Sequence, residues 1–226
     1  MITVPPVITI DGPSGSGKGT LCRAIAGSLQ WHFLDSGAIY RVLALAALRR
    51  NINIVSEEML TGVAMNLNVR FLLNEGEMQV IFEEKDVTEE IRTQSISHTA
   101  SLIALFPRLR KILLHYQHIF RKQPGLIADG RDVGTVVFPD ACIKIFLNAS
   151  LKERVYRRML QLKKRGCNIN FKSLLADMEE RDKRDYNRAI APLLPAENAW
   201  LLDSTAMTKE QLINKVMNYI KNKLVL

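Results

Sequence analysis

The stretch VITIDGPSGSGKGT, residues 7–20, leaves a chain like this few folds to choose from. Val7, Ile8, Thr9 and Ile10 read as a buried strand, and Leu21, Ile25 and Leu29 follow at helical spacing. Between them Gly12 and Gly17 bracket four residues, and Lys18 comes next, which is the strand–loop–helix spacing of a phosphate-binding loop. Glycines let backbone N–H groups turn inward and leave no Cβ in the way of a phosphate. The helix beginning near Lys18 adds unpaired N–H groups and the positive end of its dipole. Gly12, Pro13, Ser14, Gly15, Ser16, Gly17, Lys18, Gly19 and Thr20 are therefore the expected nucleotide-phosphate cradle, with Lys18 as the mobile cation. Gly19 stands where many such loops carry the Ser or Thr that holds magnesium, and Thr20 comes one residue late. Magnesium held through Thr20 and magnesium held through water both stay open.

The rest of the chain repeats the strand–helix rhythm that builds parallel sheets. Residues 31–34 form a short apolar run ending at Asp35-Ser36-Gly37, followed by a helix with Tyr40 and Arg41. Further apolar runs are expected at 126–128, ending in Asp129-Gly130-Arg131-Asp132, at 143–147 and at 200–202. Ligands in such sheets sit at the carboxyl ends of strands, where Ser36, Arg41 and Asp129 fall. An apolar strand closing in Asp129 suits the carboxylate that holds magnesium, directly or through water.

Between these parts the rhythm changes. Two apolar runs around Asn74-Glu75-Gly76 predict an antiparallel hairpin, and Asp86-Val87 adds a short third strand before a polar helix over residues 88–104. An antiparallel piece within a parallel pattern predicts an inserted subdomain at residues 63–105, with the core formed by 1–62 and 106–226. Pro107 opens the next helix, expected to run to about Gln123 and carrying Arg110, His115 and His118. The two histidines are read as surface residues rather than metal ligands.

Ser150 and Glu153, and later Thr208 and Gln211, have capping-box spacing at helix starts. The intervening cations are uneven in kind. Arg154, Arg157 and Arg158 share one helical turn and are expected to converge on one anion, while Arg181, Asp185 and Arg188 form one stripe at i, i+4, i+7. Guanidinium groups suit bidentate phosphate contacts. A hinged segment at about 154–166, ending at Gly166, is expected to close as a lid.

The net charge of +8, from 31 Lys+Arg against 23 Asp+Glu, suits nucleic acid or small polyanions alike. The cations cluster near the expected phosphate site and lack interleaved aromatics, which disfavours a nucleic-acid surface. Cys22, Cys142 and Cys167 form no pair of zinc or disulfide spacing, so a reducing compartment is expected. No charged signal-like start and no apolar run of about 18 residues occurs, so the reading is a cytoplasmic protein without a membrane partner. Nothing demands a second copy, and a monomer is expected.

Together, GPSGSGKGT at 12–20, LDSGAIYR at 34–41, DGRD at 129–132 and Arg181-x-x-x-Asp185-x-x-Arg188 resemble the bacterial cytidylate (CMP) kinases over nearly the whole chain. The resemblance implies an α/β P-loop fold: a five-stranded parallel sheet flanked by helices, a monophosphate-binding insert and a helical lid. It implies phosphoryl transfer from ATP to CMP or dCMP with magnesium. Carried over by position, Ser36, Ser101, Arg110 and Asp132 meet the cytosine, Arg41, Arg131 and Arg188 hold the acceptor phosphate, and Arg181 and Asp185 meet the ribose. Lys18, Arg131, Arg157, Arg158 and Arg188 become the catalytic cations. Lys183 departs from the acidic residue expected after Asp182. A P-loop kinase for another small acceptor, UMP or a non-nucleotide, and a basic nucleic-acid-binding protein remain the alternatives.

Overall fold

A computed structural model describes residues 4–74, 77–166 and 169–224. In chain order the elements are β1 (Val7–Asp11), α1 (Lys18–Leu29), β2 (His32–Asp35), α2 (Ser36–Arg49), α3 (Glu57–Met65), β3 (Val69–Asn74), β4 (Glu77–Phe82) and β5 (Lys85–Asp86). They continue with α4 (Gln94–Ile103), α5 (Pro107–His118), β6 (Leu126–Gly130), β7 (Ile143–Asn148), α6 (Leu151–Lys164), α7 (Phe171–Asn187), β8 (Trp200–Asp203) and α8 (Lys209–Leu224).

Five strands form one parallel sheet in the order β2-β6-β1-β7-β8. β1 is central and buried along its whole length, as an apolar run flanked by paired strands and covered on both faces must be. The chain leaves β1 toward β2 on one side and later fills the other side with β7 and β8. The reversal places a crevice at the carboxyl end of β1, beside the ends of β2 and β6. Helix α1 packs on β6 and α8, with Leu21, Ile25, Val216 and Ile220 closing that layer.

β3, β4 and β5 form the expected antiparallel sheet, with Val69 opposite Phe82 and Asn74 opposite Glu77. The turn at Glu75-Gly76 lies outside the described residues, as does Cys167. The insert's apolar side chains, among them Val80, Phe82 and Ile91, belong to the same core as the parallel sheet. By contrast, α6 and α7 enclose a second cluster of Val155, Leu174 and Met178. That helix pair has its own small core.

Some elements differ from their expected limits. The helix expected over 88–104 is a 3-10 turn at Glu90–Arg92 followed by α4, because Thr93 adopts an extended conformation between them. Helix α5 begins at Pro107 but stops at His118, where Nε2 bonds the Val137 carbonyl at 2.7 Å. A π-helical turn, Val133–Val137, follows Asp132 and had no period to announce it. At α8 the Thr208–Gln211 box forms in both directions, at 3.2 and 3.0 Å. At α6 only Ser150 caps; Glu153 turns to Arg157 instead.

Candidate functional site

The loop after β1 depends on backbone geometry. A Cβ on Gly12, where φ is +147°, would lie 2.0 Å from the Leu147 carbonyl oxygen, so only glycine lets the loop leave the sheet between β1 and β7. Gly17, left-handed at the start of α1, has no side-chain cap, and the first N–H groups of α1 face the loop. Lys18 Nζ spans the loop and donates to the Pro13 carbonyl at 2.8 Å. Burial pulls its pKa down to about 8, Arg131 adds repulsion, and Asp129 works against both. Asp129, at the end of β6, is pushed up by burial to about 6, with Lys18 opposing. The two groups form a buried, charged couple at neutral pH.

Gly19 has a tertiary explanation. A Cβ there would come within 3.3 Å of Asp129 Oδ2, so a Ser or Thr at this position would press on the carboxylate. Thr20 is half-buried on α1. The loop is further held by its carbonyls: Ser14 accepts from Arg154 Nη1 at 3.0 Å, and Ser16 accepts from Arg157 Nη1 at 3.3 Å and from Ser204 Oγ at 3.1 Å. The buried Ser16 hydroxyl has no partner.

Across the crevice, side chains replace backbone. Asp35 caps α2 through Ala38 N–H at 2.8 Å and binds Arg41 Nη2 at 2.8 Å. Burial alone would raise the Asp35 pKa, but Arg41 and the cap hold it below the usual carboxylate range. Ser36, the first residue of α2, is buried against Gly130 at the end of β6. Arg131 Nε donates to Asp185 Oδ2 at 2.8 Å, and this pair outweighs burial to keep Asp185 low.

Asp132 lies between two guanidinium groups. Oδ2 accepts from Arg110 Nη2 at 2.5 Å and Oδ1 from Arg188 Nη2 at 3.1 Å. Arg110 also lies over the Tyr40 ring, 5.9 Å from its centroid. Arg188 has left α7 and is fastened by the Ala191 carbonyl as well. On α4, Ser101 is buried with no partner for its hydroxyl. Arg181, like Arg41, has a buried Nε without an acceptor, and desolvation with Arg131 repulsion pulls the Arg181 pKa down to about 10. Unpaired donors and like charges gathered in one crevice prepare it for an anion.

The structure thus gathers Ser36, Arg41, Arg110, Arg131, Asp132, Arg181, Asp185 and Arg188 around the ends of β2 and β6, while Ser101 is placed on α4 without a contact that joins it to them. It does not converge Arg154, Arg157 and Arg158 on one point. Arg154 is forked onto Asp182 and bonds the carbonyls of Ala149 and Ser14. Arg157 binds Glu153, the Ser16 carbonyl and Ser204, while Arg158 reaches the Arg92 carbonyl at 3.3 Å. Each guanidinium leaves the helix in a different direction, because nearby carbonyls and carboxylates give each its own acceptors. Sequence reasoning missed Asp35 as the partner of Arg41, although an Asp at a helix start six residues before an Arg was a usable signal. It also missed Asp182 as the partner of Arg154 and Asp11 beneath the turn after Asp132, which no spacing announces. Among the described residues no cluster of three His, Cys, Asp or Glu side chains could hold a metal unaided, and no helix is long and apolar enough to cross a membrane.

A family model described as cytidylate kinase matches residues 8–222. A cytidylate kinase from Enterobacter sp. (strain 638) is 59% identical over 226 residues, all of both chains. Another, from Erwinia tasmaniensis, is 61% identical, also over 226 residues and all of both chains. Among solved structures, a shikimate kinase from Bacteroides thetaiotaomicron covers 98% of this chain and 99% of its own, with 15% identity and a TM-score of 0.46.

Proposed function

The chain belongs to the cytidylate kinase family, and from that premise we infer that it transfers the γ-phosphoryl group of ATP to CMP or dCMP, giving ADP and CDP or dCDP. The observation carrying the choice of acceptor is Asp132, a buried carboxylate clamped by Arg110 and Arg188. A carboxylate accepts a hydrogen bond from the exocyclic amine of cytosine, and an arginine donates to its carbonyl. Uracil offers a carbonyl where the amine stood, leaving polar groups unpaired. Ser36 and the unpartnered Ser101 hydroxyl supply further contacts to the base.

Phosphoryl transfer asks little covalent chemistry of the protein and much positioning and charge neutralisation. The loop from Gly12 to Thr20 holds the donor phosphates, with Lys18 trading the Pro13 carbonyl for a phosphate oxygen. Arg41, Arg131 and Arg188 hold the acceptor phosphate, and Arg181 and Asp185 meet the ribose. Arg157 and Arg158, which now bond protein acceptors, turn toward the transferring group as α6 and α7 close. Support for that motion is the separate core of this helix pair. The unit that closes is then the pair, with 154–166 as its first half. The insert at 63–105 serves as the acceptor side, resting on the main core through β4.

The donor set suits magnesium: Asp129 offers hard oxygen beside the loop and Thr20 a hydroxyl, and magnesium usually takes few protein ligands plus phosphate and water. Asp129 would hold the ion directly or through water, and when bound it neutralises charge on the donor phosphates. The reading is completed by a cytoplasmic monomer without nucleic-acid or membrane partners; the gathering of arginines in the crevice supports the lack of a nucleic-acid partner.

Formation of ADP from ATP and magnesium, with CMP, dCMP, UMP, AMP, GMP and shikimate offered separately, tests the reading. Rapid turnover with CMP and dCMP alone is expected. Asp132→Ala should lower kcat/KM for CMP by about 100-fold and narrow the gap to UMP. A folded wild-type protein that binds ATP but turns over no nucleotide would overturn the acceptor assignment.

A further inference from the structure

Asp132 precedes the helical turn Val133–Val137, at the position where an Asp side chain ordinarily folds back onto the first free backbone N–H groups. Here it makes no such bond. The acceptor comes from another strand. Asp11, the last residue of β1, takes Val133 N–H on Oδ1 at 2.9 Å and Gly134 N–H on Oδ2 at 2.7 Å. β1 and β6 stay in register up to Asp11 and Gly130, so the carboxylate reaches the turn directly across two strand ends.

We propose that Asp11 is a specificity-determining positioning residue, capping the turn in place of Asp132 and so keeping the Asp132 carboxylate on Arg110, Arg188 and the pyrimidine base. The inference rests on the assignment of Asp132 to the base. Two destinations compete for the Asp132 side chain: the N–H groups of its own turn and the paired arginines. Asp11 occupies the first, and its proximity adds like-charge repulsion that disfavours a return. Without the Asp11 carboxylate, two buried N–H groups lose their acceptor, and the nearest replacement in sequence is Asp132 itself. Asp11 also begins the phosphate loop, since Gly12 follows it, yet its two bonds run to the acceptor side.

The test compares Asp11→Asn, Asp132→Ala and the double variant, using kcat/KM with CMP and with UMP and the affinity for a fluorescent ATP analogue. In Asp11→Asn the amide oxygen accepts one N–H while the amide nitrogen faces the other, halving the cap. The CMP-over-UMP preference should fall about tenfold, through KM for CMP, while the affinity for the ATP analogue stays within about twofold. In the Asp132→Ala background the Asp11 change should cost no further preference, since it acts through that side chain. Equal losses with CMP and UMP, or additive losses in the double variant, would overturn the proposal. If Asp132→Ala itself leaves the preference intact, the base assignment fails and the proposal with it. If Asp132→Ala abolishes the preference and Asp11→Asn does not change it, only the proposal fails.

Removing the buried charge relieves a desolvation strong enough to lift the Asp11 pKa to about 6, so Asp11→Asn is expected to fold. Should it not, Asp11→Ser, smaller and neutral with one acceptor, carries the same comparison. Amide exchange in the wild-type protein gives an independent reading. Slow exchange at Val133 and Gly134 supports the cap, and fast exchange at both overturns it.

Discussion

In the proposed reading the glycine loop and the crevice at the end of β6 solve the same problem, holding phosphate, in opposite ways. Nine consecutive residues build the loop, whose tools are backbone N–H groups, one lysine and carbonyls braced by Arg154, Arg157 and Ser204. The crevice takes its groups from β6, α2, α5 and α7, and nearly every cation there already has a carboxylate partner. Backbone donors cannot rotate away, so the loop's N–H groups need no partner while they wait, and only its carbonyls are braced. Guanidinium groups on flexible stems must be paired to stay in place, and in the proposed reading the pairs become the specificity. The comparison also separates two kinds of arginine. Arg154 is saturated by Asp182 and two carbonyls, whereas Arg181 has a buried nitrogen with nothing to bond.

Lys18→Met strikes the loop at its one mobile charge and is expected to lower kcat/KM on the order of 100- to 1,000-fold. CMP affinity by calorimetry should move little. A comparable loss of CMP affinity would mean that the two regions are one site electrostatically, an outcome that the Arg131 repulsion on Lys18 makes worth checking.

The two arginines should separate stability from activity. Arg154→Met leaves the largely buried Asp182 carboxylate and two carbonyls without the guanidinium fork and should destabilise the fold by about 3 kcal/mol, read from urea unfolding. Arg181→Met removes a desolvated cation whose Nε has no acceptor and should stabilise the free protein by roughly 1 kcal/mol, about 2–4 °C in Tm, while turnover falls. A Tm loss in Arg181→Met would show that Arg181 holds the fold as Arg154 does.

The smallest effect is in pH. The profile of kcat/KM for ATP should bend down below about 6, as Asp129 takes a proton, and above about 8, as Lys18 loses one. The stability signs are reversed relative to ordinary salt bridges. With its folded pKa raised, Asp129 contributes stability below its unfolded value that is lost as pH rises through about 6. Lys18, lowered on folding, contributes stability above its unfolded value that is lost as pH falls through about 8. Asp35 and Asp185, lowered on folding, behave oppositely to Asp129 and lose their contribution only toward acid. A flat profile between pH 5 and about 9 would remove this contrast between the two regions.

Local sequence determined the parts whose physics is local. The strand–loop–helix of residues 7–29, the Pro107 helix start and the Thr208–Gln211 cap are settled by neighbours within a few positions, and they form as read. The parallel sheet followed from repetition of that unit, and its order β2-β6-β1-β7-β8 came from packing. Resemblance nominated the crevice residues, but their partners were not legible: Asp132 meets Arg110 and Arg188 from 22 and 56 positions away, and Asp11 meets Val133 from 122. Such pairs are chosen by which strand ends adjoin, and burial then obliges every polar group to find an acceptor among those that arrive. Tertiary structure likewise decided which arginines of α6 and α7 brace the protein, because a helix's periodicity fixes the face and not the acceptor waiting there.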